Sequence, residues 1–186
     1  YAPQQVFSTQ ERPSFTVSGV GTHRLQVSVY QVDESKIVRH QLSAVSPITL
    51  RGKPVGVPQT VLFKPPSSRR VYYARDVRLS RLPAGMYVVV VSDGRGRSRG
   101  MVLWVSDVGL VVKYAPAGNM LARVVRLQDG KGVPGARVAL YWGDNSPPVQ
   151  ATTNAEGIVE LPMRSAGNGM VWAFWGAHRA GAYFSI

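Results

Sequence analysis

The chain has 186 residues, of which 45% are hydrophobic and 17% charged, a composition that supports a sizeable core and excludes intrinsic disorder. The absence of cysteine excludes disulfide bonds, thiolate zinc sites and cysteine nucleophiles. Most of the net charge of +12 comes from residues 1–106, which have fifteen Lys or Arg and five Asp or Glu, whereas residues 107–186 have seven and five. Such a basic surface can attract nucleic acid, acidic lipid or acidic protein, and it also keeps a protein soluble.

Short alternating runs of apolar and polar residues predict strands of antiparallel sheets in the first half of the chain. Residues 24–29 form the first such strand. Residues 85–93 and 100–107 flank the tight polar loop GRGRSR and predict a hairpin. Residues 70–79 predict another strand, and because Arg75 interrupts its apolar face we expect a bulge or turn near Arg75 and Asp76.

The other segments of the first half carry weaker signals. Helical spacing occurs once, at Val38, Leu42 and Val45, and Pro47 ends it, which predicts one short helical turn. Residues 51–59, RGKPVGVPQ, are rich in Pro and Gly and predict a long connection.

A fresh series of strands begins after WVSD with no flexible linker. We therefore place a domain boundary near Ser106 or Asp107, which gives two closely apposed domains, 1–106 and 107–186. The expected fold class is all-β, with two tandem antiparallel β-sandwiches of immunoglobulin or fibronectin type. The predicted strands of the second domain span 108–114, 120–127, 136–142, 149–153, 157–161, 170–175 and 179–185.

Two motifs resemble catalytic or nucleotide-binding signatures. GRSRG at 96–100 matches G-x-S-x-G, but a strand pattern follows where a nucleophile elbow requires a helix, so we interpret Ser98 as part of an Arg-rich hairpin loop. No acidic residue that would orient His23, His40 or His178 as its base can be identified. GKGVPG at 130–135 matches G-x-G-x-x-G, yet it also leads into a strand, which leaves no helix N-terminus to hold a phosphate.

The remaining chemical signals are diffuse, so the sequence predicts no catalytic residue, no metal site and no cofactor. RRVYYARDVRLSR at 69–81 interleaves arginine and tyrosine, as a nucleic-acid surface does, but the alternation favours a solvated strand face with Arg70, Tyr72 and Arg78 outward.

The tryptophans lie within strand patterns, which favours packing roles for them. Since Trp172 and Trp175 have opposite strand parity, we expect one of them to be partly exposed. The four tryptophans are Trp104, Trp142, Trp172 and Trp175.

The stretch TTNAEGIVEL at 152–161 has a polar turn between a threonine pair and an apolar run. Val159 and Leu161 share one face, and Gly157 can supply a positive φ. We therefore expect Asn154 to Gly157 to close a hairpin between VQATT and GIVEL.

Several of these stretches together resemble a known family. DGKGVPGARVALYWGD followed by ATTNAEGIVELP is similar to the signature G-x-P-V-x-G-A-x-V … T-[DN]-x-x-G of macroglobulin domains in bacterial alpha-2-macroglobulins. LSRLPAGMYVVVVSD resembles the L-P-x-G-x-Y strand of a preceding macroglobulin domain, and WVSDVGLVVKY resembles the join that leads into the next. The resemblance covers residues 80–186 well and residues 1–79 only through FSTQERPSFTVSG and LQVSVYQVDE.

The resemblance implies a scaffold fragment of an envelope protein, periplasmic or extracellular, that traps proteases. In that family a cut bait segment triggers rearrangement, and a Cys-Gln thioester can capture the protease; this chain has neither cysteine nor C-x-E-Q. Its implied partners are neighbouring macroglobulin domains of the same parent chain, and proteases only through the full-length protein. Nucleic acid is not expected as a partner. Because the sequence begins at Tyr1 without a signal pattern, we expect a processed or excised piece, with any membrane anchor outside it.

Two other functions remain open from the residues alone. One is a polyanion-binding module that uses the basic first domain, and the other is an adhesion or carbohydrate-binding sandwich, which needs exposed aromatic residues on one sheet face. The polyanion surface consists of Arg69, Arg70, Arg78, Arg95, Arg97 and Arg99.

Overall fold

The computed structural model describes residues 5–20, 24–32, 47–62, 72–114, 118–144, 146–164 and 166–185. These residues form fourteen strands, paired largely antiparallel, and one 3-10 turn, Pro47–Leu50, which confirms the all-β class. The chain divides into two units, Tyr1–Trp104 and Val105–Ile186. The helical turn predicted around Val38 and Leu42 lies outside the described residues.

In the first unit, the described strands form two sheets. Its strands are β1 (Gln5–Phe7), β2 (Ser14–Val20), β3 (Arg24–Val32), β4 (Arg51–Leu62), β5 (Tyr72–Arg78), β6 (Gly85–Ser92) and β7 (Ser98–Val105). Five strands pair in the order β1-β7-β6-β3-β4, and β2 pairs with β5. The predicted hairpin of β6 and β7 is confirmed. Strand β6 lies between β7 and β3, and its residues 86–90 are buried on both faces, which explains the apolar run YVVVV.

Strand β4 corrects one prediction from the sequence. Residues 51–59 form an edge strand on β3, not a connection. The register shifts between Val27 and Val29, where Gly56 to Pro58 lie opposite Ser28 and Gly56 has a φ of +68°. A bulged edge strand accommodates proline because an edge does not need every amide as a donor.

The predicted bulge near Arg75 is also wrong. Strand β5 pairs with β2 in seven consecutive positions, from Ser14 opposite Arg78 to Val20 opposite Tyr72. The side chain of Arg75 is exposed and donates a hydrogen bond to the Leu62 carbonyl oxygen at 2.6 Å. Arg75 shares a strand face with buried Val77, but its long side chain extends to β4 and keeps its charged group exposed, so the strand does not need to bend.

The second unit is a sandwich of a four-stranded and a three-stranded sheet, with the strand orders β11-β10-β13-β14 and β12-β9-β8. All seven strands lie within two residues of the predicted bounds. They are β8 (Val108–Tyr114), β9 (Asn119–Arg126), β10 (Arg137–Trp142), β11 (Val149–Thr152), β12 (Ile158–Pro162), β13 (Asn168–Trp175) and β14 (His178–Ser185).

The core of the second unit lies between its two sheets. Met120 and Val124 of β9 and Leu161 of β12 are fully buried against Leu140 of β10 and Val171 of β13. At one end, the rings of Trp142 and Phe184 meet edge to face with centroids 5.2 Å apart. Such a continuous apolar layer is the main stabilising contribution in a sandwich.

The turn at Asn154 to Gly157 does not close a hairpin, and that prediction is wrong. Strand β11 before the turn pairs with β10, whereas β12 after it pairs with β9 in the other sheet. The turn therefore carries the chain across the edge of the sandwich. Local alternation shows that two strands exist but not which partner each one takes, because both sheets bury one face.

Candidate functional site

The serine of the G-x-S-x-G motif lies where the loop between β6 and β7 ends. Ser98 is the first residue of β7, so a strand follows it, as the sequence indicated. The Asp93 carboxylate accepts hydrogen bonds from the Arg95 and Arg97 amides at 2.8 and 3.1 Å, and these bonds, led by that of Arg95, lower the pKa of Asp93. The geometry is that of a capped hairpin loop, and neither His23 nor His40 lies within the described residues.

The glycine-rich segment 130–135 lies beside the turn at Asn154. The Val133 amide donates to the Val124 carbonyl oxygen at 2.9 Å, and Gly132 forms a β-bridge with Val125. Strand β10 follows, so this segment joins the two sheets. The two halves of the macroglobulin-like signature thus meet at one place, which we call the sheet junction and define as residues 132–136 and 153–157.

Gly157 is enclosed by backbone at the sheet junction. Its φ is +75°, and its carbonyl oxygen accepts the Val124 amide at 2.8 Å. A Cβ at this position would lie 2.5 Å from the Val124 oxygen and 2.6 Å from the Val133 nitrogen. Glycine is therefore required both by conformation and by space.

Asn154 shapes the turn through its side chain. Its Oδ1 accepts the amides of Glu156 at 3.1 Å and Ile158 at 2.8 Å, while its carbonyl oxygen accepts the Gly157 amide at 3.0 Å. Asparagine side chains favour turns through such local bonds. The requirement for asparagine and glycine in this stretch is thus geometric.

Thr153 links the two segments of the sheet junction through hydrogen bonds of its side chain. Its side chain is buried, and its Oγ1 donates to the Val133 carbonyl oxygen at 2.7 Å and accepts the Ala136 amide at 2.9 Å. Sequence reasoning missed this residue. The threonine pair at 152 and 153 was the feature that could have indicated it. Thr152 is exposed and Thr153 is buried, and which of the two is buried depends on the crossing of the chain between the sheets.

We predict that Thr153→Val destabilises the second unit by about 2 kcal/mol, because a buried amide and a buried carbonyl lose their partner. Thr153→Ser keeps the hydroxyl and should cost less than about 1 kcal/mol, the value of one methyl group. Urea unfolding followed by tryptophan fluorescence measures both. Equal losses for the two variants would show that the hydroxyl contributes little.

The join WVSDVGL is also explained by local contacts. The fully buried Ser106 hydroxyl accepts the Val108 amide at 3.3 Å, and Val108 itself enters the core of the second unit. The Asp107 amide donates to Nδ1 of His178 at 3.0 Å, and the Asp107 carbonyl oxygen accepts the Leu127 amide at 2.8 Å. This histidine is therefore a structural acceptor at the start of the second unit.

The LPAGMY stretch at 82–87 leads into β6 and forms a corner that a side-chain hydrogen bond closes. The Tyr87 hydroxyl donates to the Pro83 carbonyl oxygen at 2.8 Å. Tyr87 and Leu82 are buried, and burial raises the pKa of the tyrosine. Tyrosine therefore fits this position because it places an apolar ring in the core and satisfies a backbone carbonyl.

The outer face of the four-stranded sheet carries aromatic and basic side chains. Arg137 and Arg179 flank Phe174 on neighbouring strands, with their Cζ atoms 3.9 and 5.1 Å from its ring centroid. Trp172 is only 6% exposed and lies 6.4 Å from Phe174. Tyr183 is 54% exposed on this face, so the described residues provide one open ring there and not a row of them.

Trp175 is the partly exposed tryptophan that opposite strand parity predicted. It is 39% exposed, whereas Trp172 is buried. Its ring lies 5.5 Å from the imidazole of His178, at the turn between β13 and β14. The other two tryptophans, Trp104 and Trp142, are buried, as the strand pattern indicated.

Several acidic side chains in the described ranges are held by hydrogen bonds, and Asp144 is the strongest case. The Ser146 hydroxyl and amide and then the Arg164 guanidinium bind Asp144 and hold its pKa well below the usual range. Within the described ranges, no three His, Cys, Asp or Glu side chains come together as metal ligands do. No helix among those residues is long and apolar enough to cross a bilayer.

Comparison with solved structures identifies proteins of the same fold. A crystal structure of native E. coli alpha-2-macroglobulin spanning domains NIE-MG1 matches with a TM-score of 0.71 and 15% identity, over 97% of this chain and 94% of that chain. The E. coli structure spanning MG0-NIE-MG1 matches with a TM-score of 0.73 and 14% identity, over 100% of this chain and 64% of that chain.

A Salmonella alpha-2-macroglobulin reacted with methylamine matches with a TM-score of 0.69 and 16% identity, over 97% of this chain and 11% of that chain. The chain thus spans about a ninth of the length of that protein. Neither a protein-family model nor a curated protein sequence matches this chain. The chain has the fold of bacterial alpha-2-macroglobulin domains, which confirms the fold that the sequence resemblance implied.

Proposed function

We propose that this chain is a structural scaffold segment of an alpha-2-macroglobulin-like protease inhibitor that traps proteases in the bacterial cell envelope. The observation that carries the proposal is the match to the NIE-MG1 fragment, which covers nearly the whole of both chains. The match to a two-domain fragment in its full order is more specific than a match of one sandwich, since single sandwiches recur in many proteins.

Each unit then takes one position in the parent. We assign the first unit to the place of the NIE domain and the second to that of MG1, because the matched fragment spans these two domains in that order. The macroglobulin-like signature supports this assignment, since the sheet junction lies in the second unit and the WVSDVGL join leads into it from Trp104. In this proposal, the division predicted from the sequence holds, with residues 1–106 in the NIE position and residues 107–186 in the MG1 position.

The mechanical role of the second unit follows from its construction. Its core is fully buried, and the sheet junction links the two sheets through Thr153 and Gly157. A sandwich held in this way deforms little and moves as a rigid body, as a domain must to pass on a rearrangement of its neighbours. In this proposal the chain performs no covalent chemistry, and bait and thioester lie in other parts of the parent.

The test is a capture experiment with the full-length parent protein. After incubation with trypsin, the mixture is assayed on a large protein substrate and on a small peptide substrate, and is separated by gel filtration. A trap excludes large substrates sterically, so we expect cleavage of the protein substrate to fall, peptide cleavage to persist, and trypsin to elute with the parent. Unhindered cleavage of the large substrate would contradict the proposal.

The isolated 186-residue chain is the matched control. A scaffold segment without bait should neither inhibit trypsin nor elute with it. Inhibition by the isolated chain would show a direct inhibitor and would overturn the scaffold role.

The two other functions proposed from the sequence are less well supported. In the polyanion surface, Arg69 and Arg70 lie outside the described residues, and Arg78 belongs to a different sheet from Arg99. For a carbohydrate-binding sandwich, stacking needs open rings on one face, and the described residues offer Tyr183 alone with more than half its surface exposed.

A further inference from the structure

Three arginines converge at one end of the β2-β5 ladder in the first unit. Arg12 lies two residues before Ser14, and Ser14 pairs with Arg78 at the end of β5. The Leu79 amide then donates to the Pro13 carbonyl oxygen at 2.8 Å, which extends the pairing past the strand ends. Arg81 follows three residues after Arg78, so the ladder geometry brings all three to the same end.

These arginines line a concavity of about 400 Å³, which we call the arginine cleft. Gln59 of β4 contributes a polar side chain from the facing sheet, and Leu79 and Ser80 contribute the rest of the wall. The volume is within the range of small-ligand sites, about 300–1,000 Å³. Among the described residues, the lining combines three cationic groups with an amide and a hydroxyl and contains no carboxylate.

The carboxylates nearest in sequence are held by other groups. The Glu11 carboxylate accepts the Ser8 amide at 2.6 Å, and the Asp76 carboxylate accepts the Thr16 hydroxyl at 2.7 Å. In the part of the chain that the structure describes, none of the three cleft guanidinium groups forms an ion pair with Asp or Glu. Three like charges around one concavity repel each other, and a bound anion relieves that repulsion.

We propose that the arginine cleft binds a phosphate group carried by an anionic ligand. Guanidinium groups present paired N–H donors that match phosphate oxygens. Several arginines around one concavity can donate to the same phosphate from different sides, which a single surface arginine cannot do. The amide of Gln59 and the hydroxyl of Ser80 add neutral donors. The same chemistry serves a soluble phosphate compound and the headgroup of an anionic phospholipid.

The test compares two triple variants of the whole chain that remove equal charge from the same unit. Arg12→Gln, Arg78→Gln and Arg81→Gln alter the cleft, whereas Arg95→Gln, Arg97→Gln and Arg99→Gln alter the exposed arginines at the β6-β7 hairpin. Binding of inorganic pyrophosphate is measured by calorimetry at physiological salt, where general charge attraction is screened beyond about 8 Å. We expect the cleft variant to lose at least about tenfold in affinity and the hairpin variant to stay within about twofold.

Vesicle sedimentation then separates the two sources of phosphate. If phosphatidylglycerol vesicles bind the chain, phosphatidylcholine vesicles do not, and pyrophosphate competes, the ligand is a headgroup; if pyrophosphate alone binds, it is a soluble phosphate compound. Equal loss in both triple variants, or no binding at physiological salt, would overturn the proposal. All six arginine side chains are exposed, so we expect both triple variants to fold. An unchanged thermal unfolding midpoint checks this for each variant.

Discussion

Gly157→Ala should destabilise the second unit by about 4 kcal/mol, more than most single substitutions. An alanine with positive φ costs about 1–2 kcal/mol, and the rest arises because the added Cβ overlaps backbone atoms of two neighbouring segments. The overlap with the Val124 oxygen and the Val133 nitrogen can be relieved only by moving the turn away from β9. That movement breaks the hydrogen bond from the Val124 amide to the Gly157 carbonyl oxygen.

Gly130→Ala provides the matched control. Gly130 has a φ of +68°, similar to that of Gly157, but no atom lies within 4 Å of the position that its Cβ would take. The Gly130→Ala substitution therefore has only the conformational cost of a positive φ, about 1 kcal/mol. Scanning calorimetry gives the loss, and hydrogen exchange of the β9 peptides assigns it to the second unit. Similar losses in the two variants would show that the enclosure of Gly157 contributes nothing.

Leu140→Ala should cost about 3–4 kcal/mol, because it removes a large apolar side chain at the centre of a core that packs on all sides. Leu140 is completely buried on the middle of β10, between the two sheets of the second unit. The cavity is lined by residues of both sheets that the rigid backbone holds apart, so collapse can recover little of the loss.

The same substitution on the outer surface separates burial from strand propensity. Leu121 on β9 is 41% exposed, and Leu121→Ala should cost less than about 1 kcal/mol. Urea unfolding measures both through a shift of midpoint at unchanged slope. A loss for Leu140→Ala as small as that for Leu121→Ala would contradict the sandwich core.

Much of the second unit could be predicted from its sequence because its strands alternate regularly. Val138, Leu140 and Trp142 mark one buried face, and β10 has the predicted end. Strand pairing could not be derived in the same way. The crossing at Asn154 and the pairing of β4 depend on contacts between residues far apart in sequence, and local alternation carries no information about them.

The candidate sites were predictable to different degrees. The sequence indicated that a strand and not a helix follows the GRSRG turn, because the apolar run MVLWV is too short and too continuous for a helix face. The structure agrees, with Ser98 as the first residue of β7. The arginine cleft was not predicted. Its residues Arg12, Arg78 and Arg81 come from two segments, and they converge only because β2 pairs with β5 in the observed register.

The proline-bearing edge strand β4 has a consequence for the behaviour of the protein at high concentration. Among the described strands it ends the five-stranded sheet, and Val57 on it is 88% exposed, a combination that would ordinarily invite a second molecule to add a strand. Pro54 and Pro58 have no amide hydrogen, so β4 offers fewer donors for strand pairing, and the bulge at Gly56 makes the strand irregular. Among the described residues, the prolines and the bulge thus disfavour the addition of a second molecule at β4, which lowers the tendency of this edge to aggregate.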